Sequence, residues 1–102
     1  MAFDGTEGGK ISPEEAAALT AAHRRAFPRE RKGHFFGKEI LNQLLAQEGC
    51  VGIRMYHGLD REGQREMVLV GANAVGDDML DLVADMSAPC PKTCPKSNLL
   101  NP

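Results

Sequence analysis

The chain reads as a small α+β domain: two N-terminal helices, an antiparallel β-hairpin, a short C-terminal helix and an irregular Cys/Pro tail. Three observations predict this. Ser12 and Glu15 form a capping box ahead of an alanine-rich run. Phe36, Ile40 and Leu44, with Leu41 and Leu45, follow the i, i+4 rows of a helix. From Cys50 to Tyr56, Val51, Ile53 and Met55 alternate with Gly52, Arg54 and Tyr56, the period of a strand with one face buried. The hairpin can widen into a three-stranded or an intermolecular sheet. Residues 1–10 read as a flexible Gly-rich arm, 11–88 as the domain and 89–102 as the tail.

In the first helix Ser12 is the N-cap, Pro13 fits the first helical position, and Ile11 faces Ala16 as a hydrophobic staple. Pro28 ends the run after Phe27. Its apolar face (Leu19, Ala22, Ala26) is thin, so this helix should lie on the core rather than in it. The second helix spans about Phe36 to Gln47, and Gly49 stands where a left-handed residue would stop it. The first strand, Cys50–Tyr56, connects through His57–Arg65, with a turn at Asp60–Gly63, to a second strand, Glu66–Ala72.

Met67-Val68-Leu69-Val70 is apolar on both faces, the mark of a strand covered on both sides. Its missing neighbour is a third strand from residues 79–86, the N-terminal arm, or another copy of the chain. For residues 77–86 the helix reading is preferred: Asp77 or Asp78 caps, and Met79, Leu82, Val83 and Met86 share a face. The strand reading places Leu80, Leu82 and Ala84 together.

Composition narrows function. The 102 residues carry 12 Lys and Arg against 14 Asp and Glu, a formal charge of −2, so no global field draws the chain to nucleic acid or a membrane. No stretch approaches the roughly 18 apolar residues of a membrane span. The first ten residues lack the basic-then-apolar pattern of a secretory signal. The expected compartment is cytoplasmic.

Two constellations could carry chemistry. Cys90-Pro91-Lys92-Thr93-Cys94-Pro95 holds two cysteines four residues apart in a stiff, non-helical segment. They can form a local disulfide, remain free thiols, or bind zinc with His34 and His57, or with Cys50. Cys50 and His57 cannot share one ion, because seven residues of strand separate them by roughly 23 Å. A structural role without cofactor is favoured for Cys90 and Cys94, and burial as a small hydrophobe for Cys50. The second constellation is basic: Arg24, Arg25, Arg29, Arg31 and Lys32 precede the second helix, whose first turn carries Lys38. Arg31, Lys32 and Lys38 at that helix N-terminus would suit an anion, although such runs are usually solvated connectors. The aspartates at 77, 78, 81 and 85 lack the spacing of a calcium loop.

Neither a phosphate loop, a His-Glu-x-x-His helix, a serine elbow nor a Cys-x-x-Cys pair is present, so an enzyme is not expected. The expectation is a non-catalytic structural or interaction protein, a homo-oligomer or a subunit of a larger bacterial-type cytoplasmic complex. Met67, Leu69, Met79, Leu82 and Met86 are its expected interface. The alternative is a small metal- or anion-binding accessory protein built on Cys90 and Cys94.

Overall fold

The structure, a computed structural model, describes residues 2–102; Met1, the first residue of the expected arm, lies outside them. Among the described residues there are two helices, α1 (Pro13–Ala26) and α2 (Lys38–Leu45), and five strands. These are β1 (Gly33–Phe35), β2 (Cys50–Leu59), β3 (Arg65–Asn73), β4 (Asp78–Ala84) and β5 (Ala88–Cys90). They form two antiparallel sheets, one of three strands in the order β2-β3-β4 and one two-stranded ribbon of β1 and β5.

The expected C-terminal helix is corrected by this arrangement: residues 78–84 are a third strand. The reason lies in the turn before it. Asn73 Oδ1 accepts the backbone N–H groups of Val75, Gly76 and Asp77 at 3.0–3.1 Å, and Gly76 takes a φ of +104°. A side chain that folds its own backbone back in this way makes a hairpin, and the positive φ suits glycine. Asp78, read as a helix cap, is used across the sheet instead. It holds the Arg54 guanidinium and accepts from the Tyr56 hydroxyl at 2.5 Å.

Three other features depart from the sequence reading. The ribbon was not foreseen, because β1 and β5 have three residues each and lie more than fifty residues apart. The first strand of the hairpin runs on to Leu59, and α2 begins at Lys38 rather than Phe36. Asp60 then turns the chain by accepting the N–H groups of Glu62 and Gln64, both at 2.9 Å.

The core forms where α2 crosses the sheet. Leu44, Leu69 and Ala84 are buried there, with Phe36, Ile40, Leu41, Ile53, Met67 and Leu82 packed around them. Gly71 permits the close approach. A Cβ at that position would lie 2.6 Å from Gln47 Nε2 and 3.1 Å from Cys50 Sγ. The opposite face of β3 is also covered, which resolves its double apolarity. Val70 and Ala72 are buried beneath a bridge that runs from Arg54 and Tyr56 on β2 to Asp78 on β4. Phe3 adds to this cover, its ring centroid 5.3 Å from the Arg54 guanidinium carbon. The arm is tied there by the Ala2 and Phe3 N–H groups, which both donate to the Ala74 carbonyl.

The remainder is looser. In α1 the capping box closes, with Glu15 N–H donating to Ser12 Oγ at 3.0 Å, but none of its residues is buried. Its C-terminal end is held through Arg24, which donates to the Leu100 carbonyl at 2.8 Å, and through Phe27, which packs under the Arg65 guanidinium. The radius of gyration is 15.1 Å, against about 13 Å for a close-packed chain of this length. No helix among the described residues is long and apolar enough to cross a membrane.

Candidate functional site

The sequence-derived sites do not converge. Cys90 and Cys94 are joined in a disulfide with their Cα atoms 4.7 Å apart, so neither sulfur is a thiolate ligand here. Cys90 is buried in β5, and Lys32 N–H donates to its carbonyl at 2.6 Å. Cys50 is a half-buried free thiol beside Gly71, donating to the Gly52 carbonyl at 3.2 Å. No group of three His, Cys, Asp or Glu side chains among the described residues is placed to hold a metal ion.

The proposed anion residues are dispersed in the same way. Arg31 bonds Glu66 Oε1 at 2.5 Å and the Arg65 carbonyl at 2.8 Å, locking β1 onto the start of β3. Lys32 donates to Asn101 Oδ1 at 3.1 Å, while Lys38 is exposed at the first position of α2. Arg31 and Lys32 thus serve different contacts, and the three cations do not gather at the start of α2.

The proposed interface residues divide. Leu69 is 1 % exposed, enclosed by its own chain beneath α2, and so offers no free surface. Met67 and Leu82 pack on the same core and Met79 is half-buried, while Met86 is 88 % exposed with a φ of +60°.

The structure does assemble a site the sequence did not suggest. Between β1 and the end of the sheet that α2 leaves bare lies a groove of about 710 Å³. Its floor is Met55, Leu59 and Met67, and its rim is Phe35, Phe36 and Leu41. Phe35, Met55 and Leu59 are 68, 59 and 71 % exposed, a concentration of apolar surface that small soluble domains do not usually leave open. Strand periodicity puts Met55, His57 and Leu59 on the face that carries Ile53, toward α2. Because α2 spans eight residues, it covers the Ile53 end and stops short of the rest.

The three histidines of the chain, His23, His34 and His57, all line this groove. His34 Nδ1 lies 2.7 Å from Ser87 Oγ, which fastens β1 to the link between β4 and β5. Burial holds the His34 pKa below its ordinary value and Arg31 adds to this, while Glu66 works against both. A neutral imidazole beside a serine hydroxyl could act as a base, but this one has no oriented third member among the described residues' hydrogen bonds. Arg31 and Arg65, both paired with carboxylates, and Lys32 complete a basic end. On the other side of β1 lies a second hollow of about 760 Å³, walled by Leu19, Leu100 and the Cys90–Cys94 bridge. β1 is therefore a thin partition between two apolar spaces.

No family model, curated protein or solved structure matches the chain. The groove is largely apolar, and three imidazoles line it.

Proposed function

We propose that this chain is a non-catalytic structural protein that acts by self-association, using the groove face of its three-stranded sheet. One observation supports this most. The chain exposes 7672 Å² of surface, against about 5,600 Å² for a compact monomer of 11.0 kDa. The arm and tail supply part of that excess, and the apolar side chains around the groove supply another part. Obligate dimers bury roughly 1,000–2,500 Å² per chain, so an excess of about 2,000 Å² is of the size that pairing removes. Two methionines in the floor also give the face a soft surface that repacks readily against a partner.

The reading places the chain in the cytoplasm, alone as a homo-oligomer or within a larger complex. Reducing surroundings would there open the Cys90–Cys94 bridge. Association does not depend on that bridge, which lies in the wall of the other hollow. Sedimentation velocity on the full chain from low to high micromolar concentration tests the proposal. The expected result is a concentration-dependent shift to a dimer or larger species, retained at raised salt because apolar contact is not screened. A single monomeric boundary at every concentration would overturn it.

A further inference from the structure

We propose that the hollow on the α1 side of β1 binds a fatty acid, an aliphatic chain ending in one carboxylate, with Arg24 and Lys32 holding the head. This goes beyond self-association and does not rest on it, because the groove lies on the other side of β1. The hollow measures about 760 Å³, within the roughly 300–1,000 Å³ of small-molecule sites. Leu19 from α1, Phe35 from β1 and Leu100 from the tail wall it together with the Cys90–Cys94 bridge. Leu19 and Leu100 remain 66 and 45 % exposed, so this wall is bare rather than packed shut. It is mostly aliphatic, which suits a flexible hydrocarbon chain better than a flat ring.

The charged rim selects the head. Arg24 donates to the Leu100 carbonyl at 2.8 Å, and Lys32 donates to Asn101 Oδ1 at 3.1 Å. Both side chains line the hollow, and their acceptors belong to consecutive residues, whose Cα atoms stand about 3.8 Å apart. A cation from α1 and one from the start of β1 therefore arrive at one part of the rim. Both acceptors are neutral. Arg31, Arg54 and Arg65 each meet a carboxylate, whereas Arg24 and Lys32 make no ion pair among the described residues. No Asp or Glu side chain lines the hollow. A carboxylate entering there replaces a neutral partner by a charged one, and charge-assisted bonds are the stronger kind. The guanidinium fork matches the two oxygens of a carboxylate, and the ammonium adds a point charge. A neutral chain would use the wall without the rim, and a short carboxylate the rim without the wall. A fatty acid uses both.

Calorimetric titration of the full, disulfide-bonded chain with sodium decanoate, below its micelle-forming concentration, tests the site. The expected result is saturable binding of one decanoate per chain. Each methylene added from hexanoate to decanoate should tighten binding about twofold, less than full burial would give because the hollow is open. Decanol should bind about fivefold more weakly than decanoate, the size expected when two exposed charge pairs are lost. Arg24→Gln combined with Lys32→Gln should bring decanoate down to the level of decanol and leave decanol unchanged. Leu19→Glu, at an exposed helix position, leaves both cations in place and sets a like charge in the wall. It should weaken decanoate at least tenfold with unchanged circular dichroism. No saturable decanoate binding, or equal binding of decanoate and decanol to the unaltered chain, overturns the site. Loss of decanol binding in the double variant shows that the cations only hold the tail, and overturns their assignment to the head. Decanoate binding that survives Leu19→Glu overturns its placement in this hollow.

Discussion

Leu44, Leu69 and Val70 are sealed within the sheet-and-helix half of the molecule, between α2, the three strands and the Arg54–Asp78–Tyr56 bridge. α1, β1, β5 and the tail form a second half held at separate points: Arg24 to Leu100, Lys32 to Asn101, His34 to Ser87, and the disulfide. The first half is stabilised by area removed from water, roughly 25 cal/mol per Å² of apolar surface. The second depends on individual polar bonds, each contributing about 1 kcal/mol net. The difference teaches where damage spreads. A methyl lost from the packed half leaves a cavity felt by every neighbour, whereas a bond lost from the tied half frees only what it tied.

The largest expected effect is in the packed half. Leu44→Ala removes a fully buried side chain at the centre of the core and should cost about 3 kcal/mol, read as a shift in the denaturation midpoint. Gly71→Val should do at least as much, since its side chain would meet Gln47 and Cys50 inside van der Waals contact. If Leu44→Ala loosens α1 as much as it loosens the sheet, the halves are one cooperative unit and the contrast fails.

A smaller effect is expected from replacing Cys90 and Cys94 with serine. The bridge closes a very short loop, so its removal should cost about 2 kcal/mol at most. The sharper readout is local. Amide exchange should quicken in residues 88–102 and at Lys32, and hardly change in β3. Exchange that quickened equally across β3 would show that the bridge holds the whole fold.

The smallest effect is a pH dependence, of the same sign in the two halves but in different pH windows. His34 is held below its ordinary pKa chiefly by burial, so the unfolded chain takes up the proton first. Its contribution to stability is complete at neutral pH, declines as pH falls through about 6.5, and levels off below the folded value. A thermal scan from pH 8 to 5 should show this decline, and His34→Gln should flatten it. Asp78 is held below its ordinary value chiefly by the Tyr56 hydroxyl, then by Arg54. Its contribution is lost only as pH falls through that lower value, so Asp78→Asn should alter the acid end of the scan and not the neutral one.

Those elements that declare themselves locally were legible in the sequence. The Ser12–Glu15 box, the i, i+4 rows of α2 and the alternation of β2 each lie within a dozen residues, and each is carried by side chains acting on their own neighbourhood. The β4 strand was misread because Asp77 and Asp78 look like helix caps. The three N–H groups gathered by Asn73 are a geometric fact that the letters Asn-Ala-Val-Gly only hint at. The ribbon was out of reach: three residues carry no period, and its partner strand lies in a proline-rich tail. The groove was hidden for the same reason, since its far wall is β1. Met55 and Leu59 gave the available signal, an apolar alternation running past the end of α2. Leu69 was correctly seen as apolar on a covered strand, but the cover comes from its own helix.

The ribbon has one more consequence. Phe35 and Ala88 are direct partners across β1 and β5, so the backbone that enters the packed half and the backbone that leaves it stand about 5 Å apart. Residues 36–87 are thus a closed excursion from a single doorway. A segment with neighbouring ends can be spliced into a surface turn of another protein without stretching its host, or cut out and rejoined head to tail. The chain is arranged as a portable cassette clipped at its base, with α1 and the tail acting as the handle by which it is carried.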